Sequence, residues 1–170
     1  MTIIWTNLII FSAIFSVKSL QLSFYLTLHL YTATMVEVRE VSTKEIIGIY
    51  HLMDLGVKEG LLLKRSKKEL LSLVKNEMVI GAFDENSIVG MAILDFYSKR
   101  LSELRSVYVL EKYRKLGVGK RLVKAIIKKA KSLHVKELMT ITVKEKKGFF
   151  EKNGFNEAVH DFKLALFKEL

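Results

Sequence analysis

Val107-Tyr108-Val109-Leu110-Glu111-Lys112-Tyr113-Arg114-Lys115-Leu116-Gly117-Val118-Gly119-Lys120 sets the architecture of this chain. It opens as an apolar, strand-forming run, breaks into a charged loop, and passes through two glycines into residues 118–133. There Val118, Leu122, Ile126 and Ala130 recur on one helical face, while Lys120, Arg121, Lys124, Lys128 and Lys131 fall elsewhere. Strand, glycine-bearing loop and helix N-terminus in that order make an anion site. The first amides of a helix have no intrahelical acceptor, and the dipole favours negative charge beside them. Gly117 and Gly119 let a phosphate approach the backbone with no Cβ in the way, and Arg114, Lys115, Lys120 and Arg121 surround the loop with cations. The spacing matches neither Gly-x-x-x-x-Gly-Lys-Ser/Thr nor the three-glycine dinucleotide fingerprint. Taken alone, Gly-Val-Gly is also compatible with an ordinary tight turn.

On either side of this stretch the pattern is mixed α/β. Residues 36–41 alternate as a strand. Thr43 is the expected N-cap of a helix carried by Ile46, Ile47, Ile49, Tyr50 and Met53 and ended at Gly56. Ser66-Lys67-Lys68-Glu69 is a capping-box signature for a second helix ending near Lys75. Residues 78–83 and 88–96 are apolar runs of strand length, and Asp84-Glu85-Asn86-Ser87 between them supplies the turn of a hairpin. Further strands are expected over 103–110, 137–143, 155–159 and 162–167, with a short helix over 146–152. No repeat or low-complexity linker divides residues 35–170, which therefore form one domain.

Residues 1–34 differ in character, with Lys18 as their only charged side chain. Residues 3–17 are almost continuously apolar but shorter than the ~20 residues a spanning helix needs. Leu20, Leu22, Phe24, Leu26, Leu28 and Leu30 then alternate with Gln21, Ser23, Tyr25, Thr27, His29 and Tyr31, a period of two. A membrane anchor, an extra structural element and an upstream extension all fit this segment. The extension is favoured, because globular character begins at Met35. A cytoplasmic protein is expected, membrane-associated if residues 1–34 insert.

Composition narrows the chemistry. The chain has 170 residues and no cysteine, which excludes disulfides, thiolate nucleophiles and cysteine-based zinc sites. His29, His51, His134 and His160 show no metal-ligand spacing, so no metal is expected. A net charge of +10 fits an anionic partner or simply a lysine-rich, solvated surface. Neither an aromatic-basic stacking platform nor a helix-turn-helix pattern is present, so no specific nucleic-acid binding is expected.

The segment from Glu103 to Leu122 resembles the core motif of the GNAT acetyltransferase superfamily. Arg114, Gly117 and Gly119 meet its Arg/Gln-x-x-Gly-x-Gly/Ala signature, and Phe149-Phe150-Glu151-Lys152-Asn153-Gly154-Phe155 resembles its second signature. The resemblance covers residues 36 to about 160. It implies an α/β (α+β) GNAT fold: a central, mixed, mostly antiparallel twisted sheet of six to seven strands flanked by about four helices. It also implies acetyl-coenzyme A as co-substrate and no metal. The backbone of Val107, Tyr108 and Val109 would hold the pantetheine arm like an added strand. The amides of Arg114, Lys115, Leu116, Gly117, Val118, Gly119 and Lys120 would wrap the pyrophosphate.

Gly60-Leu61-Leu62-Leu63-Lys64-Arg65-Ser66, Glu103-Leu104-Arg105-Ser106 and the phenylalanine-rich signature are similar to N-acetylglutamate synthases. That similarity implies acetyl transfer to the α-amino group of glutamate, a step of arginine biosynthesis. Glu103 aligns with the strand carboxylate that serves as general base in related acetyltransferases; a solvated strand-end glutamate is the competing reading. Many relatives place a proton-donating tyrosine where this chain has Phe150, so water, Tyr108 or Tyr113 is left to protonate the thiolate. A dicarboxylic acceptor needs cations, best met by Arg65 and Arg105 with Lys144 third. Acetylation of a protein N-terminus or lysine remains open, as does a non-catalytic acyl-coenzyme A-binding module. A homodimer is compatible with the sequence.

Overall fold

The computed structural model describes residues 36–157, and the readings made on residues 1–34, on the last strand and on residues 158–159 of the strand before it lie outside them; residues 155–157, expected to begin that strand, form no regular strand. β1 (Glu37–Glu40), β2 (Val79–Asp84), β3 (Ser87–Phe96), β4 (Leu101–Val109) and β5 (Glu137–Met139) form one sheet in sequential order. The first three pairings are antiparallel and β4–β5 is parallel. Helices α1 (Ile46–Lys58), α2 (Lys67–Lys75), α3 (Val118–Ser132) and the short α4 (Lys147–Glu151) complete the mixed architecture. The sheet has five strands among the described residues, against the six to seven expected.

β3 is apolar throughout residues 88–94 because both its faces are covered there. Met91 and Ile93 pack with Ile49, Leu52 and Met53 of α1 and Leu70 and Val74 of α2. Ala92 and Leu94 face the other layer, where Leu122, Val123, Ile126 and Ala130 of α3 pack. Leu122 and Ile126 are fully enclosed, which is worth about 1.5–3 kcal/mol for each side chain.

The helix starts follow local chemistry. The Ser66 hydroxyl accepts from the Glu69 amide at 3.1 Å, as the capping signature predicts. At the first helix the cap is Ser42 rather than Thr43. The Ser42 amide donates to Glu45 Oε2 at 2.7 Å, and a short 3-10 turn (Thr43–Glu45) leads into α1. Arg39 bonds the same carboxylate, and that hydrogen bond, helped by those from Ser42, holds the Glu45 pKa at about 2. The strand expected over 137–143 is regular only over Glu137–Met139, because its pairing with β4 stops there.

Candidate active site

The end of that pairing opens the site. β4 is bonded to β5 only through Leu101–Glu137, Ser102–Leu138 and Glu103–Met139. From Leu104 to Val109 this side of β4 has no strand partner among the described residues, whereas the β3 side stays paired as far as Val109. The backbone of Val107, Tyr108 and Val109 therefore presents an open edge of the kind that accepts an added extended chain.

A bulge lies within the same strand. Gly90 pairs with Val109, Met91 with Tyr108, but Ile93 with Arg105, and Ser106 takes a φ of 54°. One extra residue on β4 reverses the alternation of the side chains beyond it. Glu103, Arg105 and Tyr108 consequently lie on the α1/α2 face, whereas Leu104 and Val109 face α3.

Past β4 the chain makes a turn at Glu111–Tyr113 and enters α3 through the glycine loop. Gly117 is the N-cap at φ 79°, a left-handed conformation, and a Cβ built there would meet nothing within 4 Å. No side chain caps this end, and the Arg121 amide is the first to reach back, bonding Gly117 O at 3.1 Å. The amides of Gly117, Val118, Gly119 and Lys120 precede that first intrahelical donor and have no acceptor within the helix. At Gly119 a Cβ would lie 3.4 Å from the Phe149 ring, so the two sequence signatures pack on each other. Lys115 and Lys120 are exposed, Leu116 is half-buried against the α3 core, and Val118 is buried within it. Arg114 is turned back toward the protein. Its amide donates to Glu111 O, its Nε to Val109 O at 2.8 Å and its Nη2 to Glu59 Oε2 at 2.5 Å.

A charged network sits where β4 and β5 part. Asp95 and Glu103 are cross-strand neighbours and buried. Arg65, from the loop between α1 and α2, donates to Asp95 Oδ2 at 2.5 Å and to Glu69 Oε1. Arg105 donates to the same Asp95 oxygen at 3.2 Å, and its Nε stands 3.6 Å from Glu103 Oε1. Arg65 and Arg105 are thus brought together with Glu103, as a common role requires. They differ in access: the side chain of Arg65 is 7% exposed and that of Arg105 36%. Burial opposes the charge of Arg105, but Glu103 and Asp95 prevail and raise its pKa. Lys144 opens an exposed turn after β5 and is outside this network among the described residues. Asp95 is the member that sequence reasoning missed. An aspartate ending an otherwise apolar strand was the available signal.

The tyrosines proposed as acids are both engaged. Tyr108 donates to Glu59 Oε1 at 2.7 Å and Tyr113 to Asp84 Oδ2. Burial and these carboxylates push both phenol pKa values up. Phe150 packs edge-on between Phe149 and Phe155. Tyr97, which sequence reasoning also missed, donates to Glu103 Oε2 at 2.6 Å. Among the described residues no cluster of acidic or histidine side chains could hold a metal. No helix there is long and apolar enough to cross a membrane.

Comparison with known proteins identifies the family. The acetyltransferase (GNAT) family matches residues 48–155. The chain is 27% identical over 125 residues to an uncharacterised N-acetyltransferase of Chlorobaculum tepidum, covering 74% of this chain and 78% of that protein. It is 28% identical over 123 residues to the amino-acid acetyltransferase of Mannheimia succiniciproducens, covering 72% of this chain but 27% of that protein. The chain thus spans about a quarter of such an amino-acid acetyltransferase. Among solved structures, N-acetylglutamate synthase of Neisseria gonorrhoeae, complexed with coenzyme A and N-acetyl-glutamate, superposes with a TM-score of 0.62 at 24% identity. That match covers 69% of this chain and 27% of the synthase. A Mycobacterium tuberculosis protein in complex with coenzyme A and a second ligand gives 0.66 at 23% identity, covering 76% of each chain.

Proposed function

The chain belongs to the GNAT family of acetyltransferases, and on that premise we propose that it transfers an acetyl group from acetyl-coenzyme A to the α-amino group of glutamate. The convergence of Glu103, Arg105 and Arg65 where the open edge of β4 begins carries this reading. It joins a proton acceptor and two guanidinium groups beside the position expected for the thioester. The matched amino-acid acetyltransferases support an amino-acid acceptor.

The residues present fit coenzyme A. The open β4 edge would bond the pantetheine arm, and the amides of Gly117, Val118, Gly119 and Lys120 would meet the pyrophosphate in the space Gly117 leaves clear. When bound, the thioester supplies the activated acetyl group. Glu103 takes the proton that makes the acceptor nitrogen nucleophilic, and Arg105 with Arg65 orients the acceptor's carboxylates. Transfer is direct and needs no covalent enzyme intermediate. With Tyr108 and Tyr113 both donating to carboxylates, water is the simplest proton source for the departing thiolate.

Gly117→Glu tests the cofactor loop. It forces a side chain into a left-handed position and sets a carboxylate where the diphosphate would lie. Coenzyme A affinity, measured by calorimetry, should fall at least about tenfold, or ~1.4 kcal/mol. Unchanged affinity in the folded variant removes the loop from the site.

One observation favours a second reading. Asp95 already answers both arginines, and Leu61, Leu63 and Phe96, near Arg65 and Asp95 in sequence, are exposed. An acceptor with no carboxylate to pair and with apolar flanks, such as a protein N-terminus, suits those features. Acetylation of free amino acids and of peptides by the full chain separates the two. Glutamate should lead, with glutamine poor for want of the side-chain charge and aspartate poor for want of reach. Peptides turned over faster than glutamate would give the second reading first place.

A further inference from the structure

We propose that Tyr97 is a positioning residue for acyl transfer, its hydroxyl holding one oxygen of Glu103 so that the other is presented to the acceptor's ammonium. The proposal rests on Glu103 being the base.

Glu103 is 5% exposed, so its carboxylate cannot be oriented by bulk water and must take its geometry from its neighbours. The two oxygens have different surroundings. Oε2 accepts from Tyr97 Oη at 2.6 Å. Oε1 has Arg105 Nε at 3.6 Å, close enough to feel the charge but beyond a hydrogen bond. Oε1 is therefore the oxygen with bonding capacity to spare. Other groups on this face leave that assignment intact. Asp95, across the sheet on β3, bonds Arg65 and Arg105; Glu69 of α2 bonds Arg65; the β5 residue paired with Glu103 is the uncharged Met139.

Tyr97 is suited to the task. Burial first, then the Glu103 carboxylate, pushes its phenol pKa up, so the hydroxyl keeps its proton and remains a donor at neutral pH. It stands just past the end of β3, six residues before Glu103, in the connection that returns the chain as β4. Its side of the bond is reachable: Tyr97 is 56% exposed, so an aromatic ring here is not required by the core. A hydroxyl that reaches inward from an exposed ring to a buried carboxylate is explained by that carboxylate rather than by packing.

Tyr97→Phe removes the hydroxyl and keeps the ring. A donor to an ionised carboxylate favours the charged form, so its loss raises the pKa of the base. The acidic limb of the kcat/KM profile should move to higher pH by about one unit, and kcat should fall roughly tenfold, with coenzyme A affinity unchanged. A fall in rate with an unmoved profile, or no change in either, overturns the proposal. Glu103→Gln, measured alongside, separates the two levels. If Glu103→Gln keeps the native rate, the base assignment itself fails and Tyr97 has nothing to position. If Glu103→Gln is inactive and the Tyr97→Phe profile is unmoved, only the role of Tyr97 is lost.

Discussion

Glu103→Gln should lower kcat/KM by about a hundred- to ten-thousandfold, the range expected for removing a general base. The substitution keeps the shape of the side chain, and an amide oxygen can still accept from Tyr97, so the network survives with one charge fewer. That corresponds to about 3–5 kcal/mol of transition-state stabilisation. The deficit should shrink as the pH rises past the acceptor amine's own pKa, because a growing share of acceptor then arrives already deprotonated. Thermal unfolding should confirm that the variant is folded. A variant with near-native rate at neutral pH would return Glu103 to the role of a buried partner of Arg105.

Arg105→Ala should reduce kcat/KM for glutamate by roughly ten- to a hundredfold, as expected for losing a charge-assisted hydrogen bond to a bound carboxylate. The loss should appear mainly in KM, with coenzyme A affinity retained. Arg105→Lys should restore only part of it, since an ammonium cannot reproduce the two-pronged geometry of guanidinium. Arg65→Ala should behave differently, because Arg65 is enclosed with Asp95. Removing one member of a buried pair costs on the order of 3–5 kcal/mol in stability, so a lowered melting temperature should accompany any kinetic change. If both variants keep their rate with glutamate, these arginines serve only the carboxylates of their own network, Asp95 foremost.

The parts of this protein that were legible in advance are those governed by a single segment. The cap at Ser66, the amphipathic face of α3 and the glycine at the left-handed N-cap each follow from local backbone geometry and period, so a few neighbouring residues suffice to reveal them. The shift of the first cap from Thr43 to Ser42 had a tertiary contribution, since Arg39 on the neighbouring strand holds the Glu45 carboxylate that reaches back to Ser42. The strand expected to run to residue 143 stops at Met139 because its partner β4 diverges, a fact recorded in neither segment alone.

Sequence by itself thus determined the order of the described strands and helices, the glycine loop that opens α3 and the kinds of side chain available for acyl transfer. Tertiary structure alone decided how those side chains meet. The bulge at Ser106 restores a common face to Glu103 and Tyr108, whose odd spacing would otherwise set them on opposite sides. Asp95 gathers Arg65, thirty residues earlier, and Arg105, ten residues later, onto one oxygen. Strand register fixes which residues face one another, and register is chosen by the burial of whole faces rather than by any one segment's propensity. A carboxylate can be read from the chain, but the groups that hold it are selected only when distant segments pack.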